Sequence, residues 1–121
     1  MAAPYQAIQT CEALSQEGKA CSQYLPSMLR HRAAVEVTLR QYASAERDAR
    51  HALGLLLHQT RTGEFSQATG QAYLMLARCL VAEGRDADGR AMARQAADQL
   101  EKSLGSDHPD TRAALELMSN A

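Results

Sequence analysis

His108 stands between Asp107 and Asp110, and His51 follows Asp48 at i, i+3. These are the groupings in the 121-residue chain whose residue types could hold a metal or move a proton. A zinc site needs three or four converging ligands, and no other His or Cys is near His108 in sequence. Asp48-x-x-His51 has the spacing of a di-iron helix bundle, but such centres draw several carboxylates from facing helices. His51 and His58, seven apart on one helical face, read as solvated or groove-edge residues. No Ser or Cys has nucleophile-elbow or triad surroundings, and no Gly-rich phosphate loop is present. No catalytic residue, metal or cofactor is therefore expected. Cys11, Cys21 and Cys79 are odd in number and lack CxxC spacing, which suits buried thiols in a reducing compartment. Arg85, Arg90 and Arg94 read as a solvated face. Arg78 is the charged residue of most interest. An arginine fork can engage a ligand carboxylate or phosphate; the competing reading is an internal pair with Glu36 or Glu116.

Composition limits what can position these groups. Apolar residues make up 45%, with one Phe, four Tyr and no Trp. Long β-branched runs are missing, while Ala, Leu, Gln, Glu and Arg, all good helix formers, abound. An all-α domain follows, large enough for about six helices. The formal charge of −1 comes from 13 basic and 14 acidic residues, interspersed. That balance argues against nucleic acid, whose binding modules carry a basic stripe. The longest apolar run, around residues 53–57, is far short of the roughly 20 residues that span a bilayer. The start of the chain lacks the basic-then-apolar pattern of a signal peptide. A cytoplasmic protein, or a piece of one, is expected, with no membrane partner.

Breakers and caps divide the chain into helices. Residues 1–24 are read as an N-terminal helix and linker, the helix running from Pro4 to about Gln16. Residues 25–121 form the main domain. Pro26 opens its first helix, which reaches about Arg40. Ala45, Ala49, Ala52, Leu53 and Leu56 mark one buried stripe of the next, with Glu46, Arg47, Asp48 and Arg50 on its other side and Thr62-Gly63 closing it. Gly54 suggests close packing there. Ser66 is expected to cap the following helix. Asp86 is expected to cap the fifth, Gly105 to end it, and Asp107 to cap the sixth. Gly63, Gly70 and Gly84 read as isolated breakers.

Gly105, Leu115 and Ser119 lie 42 residues after Gly63, Tyr73 and Ala77. A helix, a short Gly-bearing loop and a helix thus recur at a period typical of stacked helical repeats.

The repeat has a recognisable character. Leu76-Ala77…Leu80…Gly84-Arg85 and Ala96…Leu100-Glu101-Lys102-Ser103-Leu104-Gly105-Ser106-Asp107-His108-Pro109-Asp110-Thr111 resemble the 42-residue tetratricopeptide repeats of the kinesin-light-chain type. Tyr42-Ala43-Ser44-Ala45-Glu46 with Arg50-His51-Ala52-Leu53 resembles the start of helix B in an earlier copy. The likeness covers roughly residues 28–118. Asp86 departs from the family's aromatic and Gly89 from its small Ala. The resemblance implies an α-solenoid of antiparallel helix pairs whose A helices line a concave groove. Carried over through the Leu76-Ala77 register, that groove would hold Gln71, Leu74, Arg78, Val81 and Ala82. With Ala33 matched to Ala77 it would also hold Arg30, Ala34 and Val37, and from the last helix Glu116. The variant that clamps a chaperone's C-terminal carboxylate needs Lys and Asn where Leu74 and Met75 stand, so that ligand is disfavoured.

Two classes of function follow from the resemblance. The first is a non-catalytic interaction module taking a peptide or helix of another protein. The alternative is a peptide- or small-molecule-sensing domain of a larger signalling protein. A short solenoid exposes its end faces, so either a homodimer through a terminal helix or a missing larger parent chain is expected.

Overall fold

In a computed structural model the described residues are 24–59 and 64–120. The helix expected over 4–16, Cys11, Cys21 and the Thr62-Gly63 stop lie outside them. Five helices fill the described residues, and no strand occurs among them. They are α1 (Leu25–Thr38), α2 (Tyr42–Gln59), α3 (Gln67–Ala82), α4 (Asp86–Leu104) and α5 (Pro109–Asn120).

Local chemistry explains most boundaries. Pro26 sits in the first turn of α1, where its missing N–H costs nothing. The turn after α1 passes through Arg40 at φ 62°. Ser66 Oγ accepts from the Thr69 N–H at 3.2 Å and caps α3. Gly105 follows α4 at φ 88°, the left-handed region that glycine enters without a Cβ clash.

Two expected caps are displaced. Asp86 is the first residue of α4, behind Arg85, which makes no side-chain cap bond. Asp86 and Asp88 in the first turn instead face the positive helix end. Before α5 the ring of His108, not Asp107, does the capping: the Asp110 N–H donates to His108 Nδ1 at 3.1 Å.

Consecutive helices run antiparallel, since residues early in one meet residues late in the next. Each packs on its successor; in addition α1 touches α3 and α3 touches α5, while the backbones of α2 and α4 stay apart. α3 is therefore the central element. One face of it, with Ala72, Met75, Leu76, Cys79 and Leu80, meets Ala33 of α1 and Ala45, Ala49 and Leu53 of α2. On the other side Leu74 joins Ala96, Ala97, Leu100 and Ala114. Alanine dominates these seams, so the helices approach closely.

Two glycines mark the tightest approaches, both between α3 and α4. A Cβ on Gly89 would lie 2.6 Å from Val81 Cγ2 and 3.1 Å from the Ala77 carbonyl oxygen. One on Gly70 would lie 2.6 Å from Leu100 Cγ. Gly70 is thus a packing residue inside α3 and not a breaker. Gly54 is the reverse case: it is exposed, with nothing within 4 Å of the missing Cβ, so no close packing accounts for it.

Candidate functional site

Because α1, α3 and α5 lie side by side, each leaves a narrow stripe of its surface outside the helix-to-helix seams. On α1 the exposed positions are Ser27, His31, Ala34 and Thr38; on α3 they include Ala68 and Arg78, with Gln71 half-buried between them. Ala34 and Arg78 each follow a fully buried alanine, Ala33 and Ala77.

Arg30, Gln71 and Asp110 link the three helices at one end of this layer. Gln71 Nε2 donates to Asp110 Oδ2 at 2.9 Å. Half-buried Arg30 faces the same carboxylate. Burial lowers its guanidinium pKa, and the charge of Asp110 acts in the opposite direction. Arg30 and Gln71 also line a depression of about 80 Å³ with Pro26, Ser27, Leu56, Ala68 and Ala72. Small-molecule sites usually run to about 300–1,000 Å³, so this one is too small for anything but a single protruding group.

Arg78 is exposed, and its side chain makes no hydrogen bond or ion pair to the described residues. Neither internal pairing considered for it, to Glu36 or to Glu116, is formed. Its guanidinium is available to a ligand.

The structure removes some of the expected groove residues. Leu74 is 3% exposed and belongs to the seam between α3, α4 and α5; the flanking helices cover it and no ligand can touch it. Val37 is half-buried against the core, and half-buried Val81 lies under Gly89, so both support the face more than they present it. Glu116 is exposed but lies elsewhere: it lines a separate depression with Pro109, Arg112, Ala113, Leu115 and Ser119, all on α5. Arg30 and Gln71 line one depression and Asp110 bonds to Gln71, while Ala34 and Arg78 are exposed farther along the same two helices. Nothing local in the sequence marks Asp110 for this role, because its part depends on a partner 39 residues away.

A second polar cluster is buried between α1 and α2. The Arg32 guanidinium donates from Nε to Asp48 Oδ2 at 2.7 Å and from Nη2 to Oδ1 at 2.8 Å, the bidentate fork that is strongest for this pair. Asp48, expected on the solvated side of α2, is only 8% exposed. Glu36, 5% exposed, lies against it, and its Oε1 has no hydrogen-bond partner. Burial first, then the hydrogen bond it gives to Asp48, push the Glu36 carboxyl up to about 8. Burial would raise Asp48 too, but the Arg32 fork and the proton from Glu36 outweigh it and hold Asp48 below the usual carboxylate range.

A similar exchange links α2 to the end of α3. Glu46 accepts from Arg50 at 2.7 Å and from Arg85 at 3.1 Å. It is held low, chiefly by Arg50, while Glu83 is raised by burial and by its contact with Glu46. Buried Cys79 lies within the field of all four carboxylates. Burial and then these charges push its thiol up to about 12, which makes it a poor nucleophile. Among the described residues no group of three or more His, Cys, Asp or Glu could hold a metal ion.

No protein-family model and no curated protein matches the chain. Among the described residues no helix is long and apolar enough to cross a membrane.

Proposed function

We propose that the chain is a non-catalytic interaction module of tetratricopeptide type, an α-solenoid fragment in which α1, α3 and α5 are the groove-lining helices. It takes an extended peptide or a helix of a partner protein across that face, in the cytoplasm. The observation that carries this reading is Arg78: an exposed, unpaired guanidinium on the central helix, beside the small exposed Ala34 and bounded at one end by the Arg30–Asp110–Gln71 cluster. Such an arrangement suits a partner segment that presents a carboxylate over a surface otherwise low in relief. The charge-assisted fork fixes the segment's register, and the shallow alanine-rich surroundings tolerate varied side chains.

The test is a displayed peptide library selected against the wild-type chain, with recovered peptides titrated against wild type and Arg78→Glu. Recovered sequences should carry Asp or Glu at a fixed position and bind the variant about tenfold or more weakly, the loss of one charge-assisted contact. Circular dichroism should be unchanged, since Arg78 has no internal partner. Equal affinity for both proteins would exclude the groove as the binding face.

A further inference from the structure

The outer side of α5 carries an open depression of about 600 Å³ lined by Pro109, Arg112, Ala113, Leu115, Glu116 and Ser119. α5 packs on α4 and along α3, and no described residue of another helix lines this side. The corresponding positions of α3, 42 residues earlier, are covered by α4: Gly70 meets Leu100, Leu74 lies beside Ala96, and Ala77 meets Gly89. On α5 those positions are Arg112, Glu116 and Ser119. The face is therefore unlike the dry, small-residue seat that receives the next helix of a stack.

The lining residues have a symmetry of their own. Measured from Ala114, Ala113 and Leu115 are one residue to either side, Arg112 and Glu116 two, and Pro109 and Ser119 five. A second α5 laid antiparallel about a two-fold axis at that level brings Arg112 against Glu116 of the partner subunit, and the reverse pair forms by symmetry. Self-complementarity of this kind is the requirement of an isologous interface. Arg112 and Glu116 are both exposed and form no ion pair with each other. The base precedes the acid at i, i+4, the less favourable order for pairing within one helix.

We propose that the chain self-associates through α5, two copies pairing antiparallel with Arg112 and Glu116 exchanged across the axis. One helix per subunit is a small contact with exposed charges, so the dimer is weak and its population depends on protein concentration and on salt. The surface is separate from the Arg78 face and does not rest on what that face binds.

Sedimentation equilibrium over a wide concentration range tests this on wild type, Arg112→Glu, Glu116→Arg and the double charge swap. Each single variant places like charges opposite each other and should raise the dimer dissociation constant about tenfold or more. The double variant restores opposite charges and should return to within about threefold of wild type. Circular dichroism on all four verifies that the helices are intact. A wild type that stays monomeric throughout overturns the proposal. So do single variants that associate as well as wild type, or a double variant as dissociated as the singles.

Discussion

Replacing Glu36 with Gln should stabilise the protein, and by an amount that grows with pH. In the folded chain burial and the bond to Asp48 raise the Glu36 carboxyl from 4.5 to about 8, whereas the unfolded chain releases that proton near 4.5. Between those values the native state holds a proton that the unfolded state lacks, so stability is greatest below 4.5 and falls as pH rises towards 8. The slope can reach about 1.4 kcal/mol per pH unit. At pH 7 the accumulated deficit has a ceiling of about 3 kcal/mol, and relaxation around the carboxyl brings the expected value to about 1–3 kcal/mol. Gln has no proton to lose and can still donate to Asp48 through its amide. Urea denaturation of wild type and Glu36→Gln at pH 5, 6, 7 and 8 isolates the effect, because the histidines and the Arg32–Asp48 fork are common to both proteins. The two stabilities should nearly coincide at pH 5 and diverge steadily to pH 8. A constant difference across the range would refute the account, since it would mean that Glu36 is ionised in the folded protein at every pH tested.

The remaining expectations concern packing and access. Gly54→Ala should raise stability by about 0.5–1 kcal/mol, the helix-propensity gain at an exposed site. Gly89→Ala should lower it by about 1–3 kcal/mol despite the same propensity gain, because the added methyl meets Val81 and the Ala77 carbonyl; thermal melts of the pair read both signs, and a stabilised Gly89→Ala would show that the α3–α4 seam is looser than described. Cys79 should resist iodoacetamide in native buffer and react in denaturant, with peptide mass mapping identifying the labelled thiol; rapid native labelling would contradict its burial. The Arg78→Glu titration and the α5 charge swap complete the set.

Most helices were legible because each carries its own periodic signal; α1, whose apolar residues follow no single stripe, is the exception. The stripe of Ala45, Ala49, Ala52 and Leu53 is buried as its spacing requires, and Ser66 and Gly105 act at the helix ends where their chemistry suits them. What failed were inferences that depend on a second helix. Asp48 lies on what one helix alone presents as its polar side, yet Arg32 of α1 meets it there and buries both. Gly54 read as closely packed and Gly70 as a breaker, yet Gly54 faces solvent and Gly70 is held at a crossing, a difference set by the neighbour's position. Leu74 and Glu116 fell short as groove residues for the same reason: a register transferred from a repeat pattern fixes a residue's angle on its own helix and not what the next helix covers. Of the residues expected on the face, Arg30, Ala34, Gln71 and Arg78 lie exposed or half-buried on α1 and α3, whereas the Gln71–Asp110 bond depends on the approach of α5 to α3.

Contacts that run only between successive helices and between alternate members of one layer have a kinetic consequence. No pairing joins distant ends of the described chain, so little loop-closure entropy has to be overcome before favourable contacts form, and rapid folding is expected of such a topology. α3, which touches all four other helices, is the natural nucleus: once it docks on α4, α5 can add on one side and α2 with α1 on the other. The order of opening is the reverse. Amides in the middle of α3 should exchange with solvent last, and those of α1 and α5, the outermost of the described helices, should exchange first.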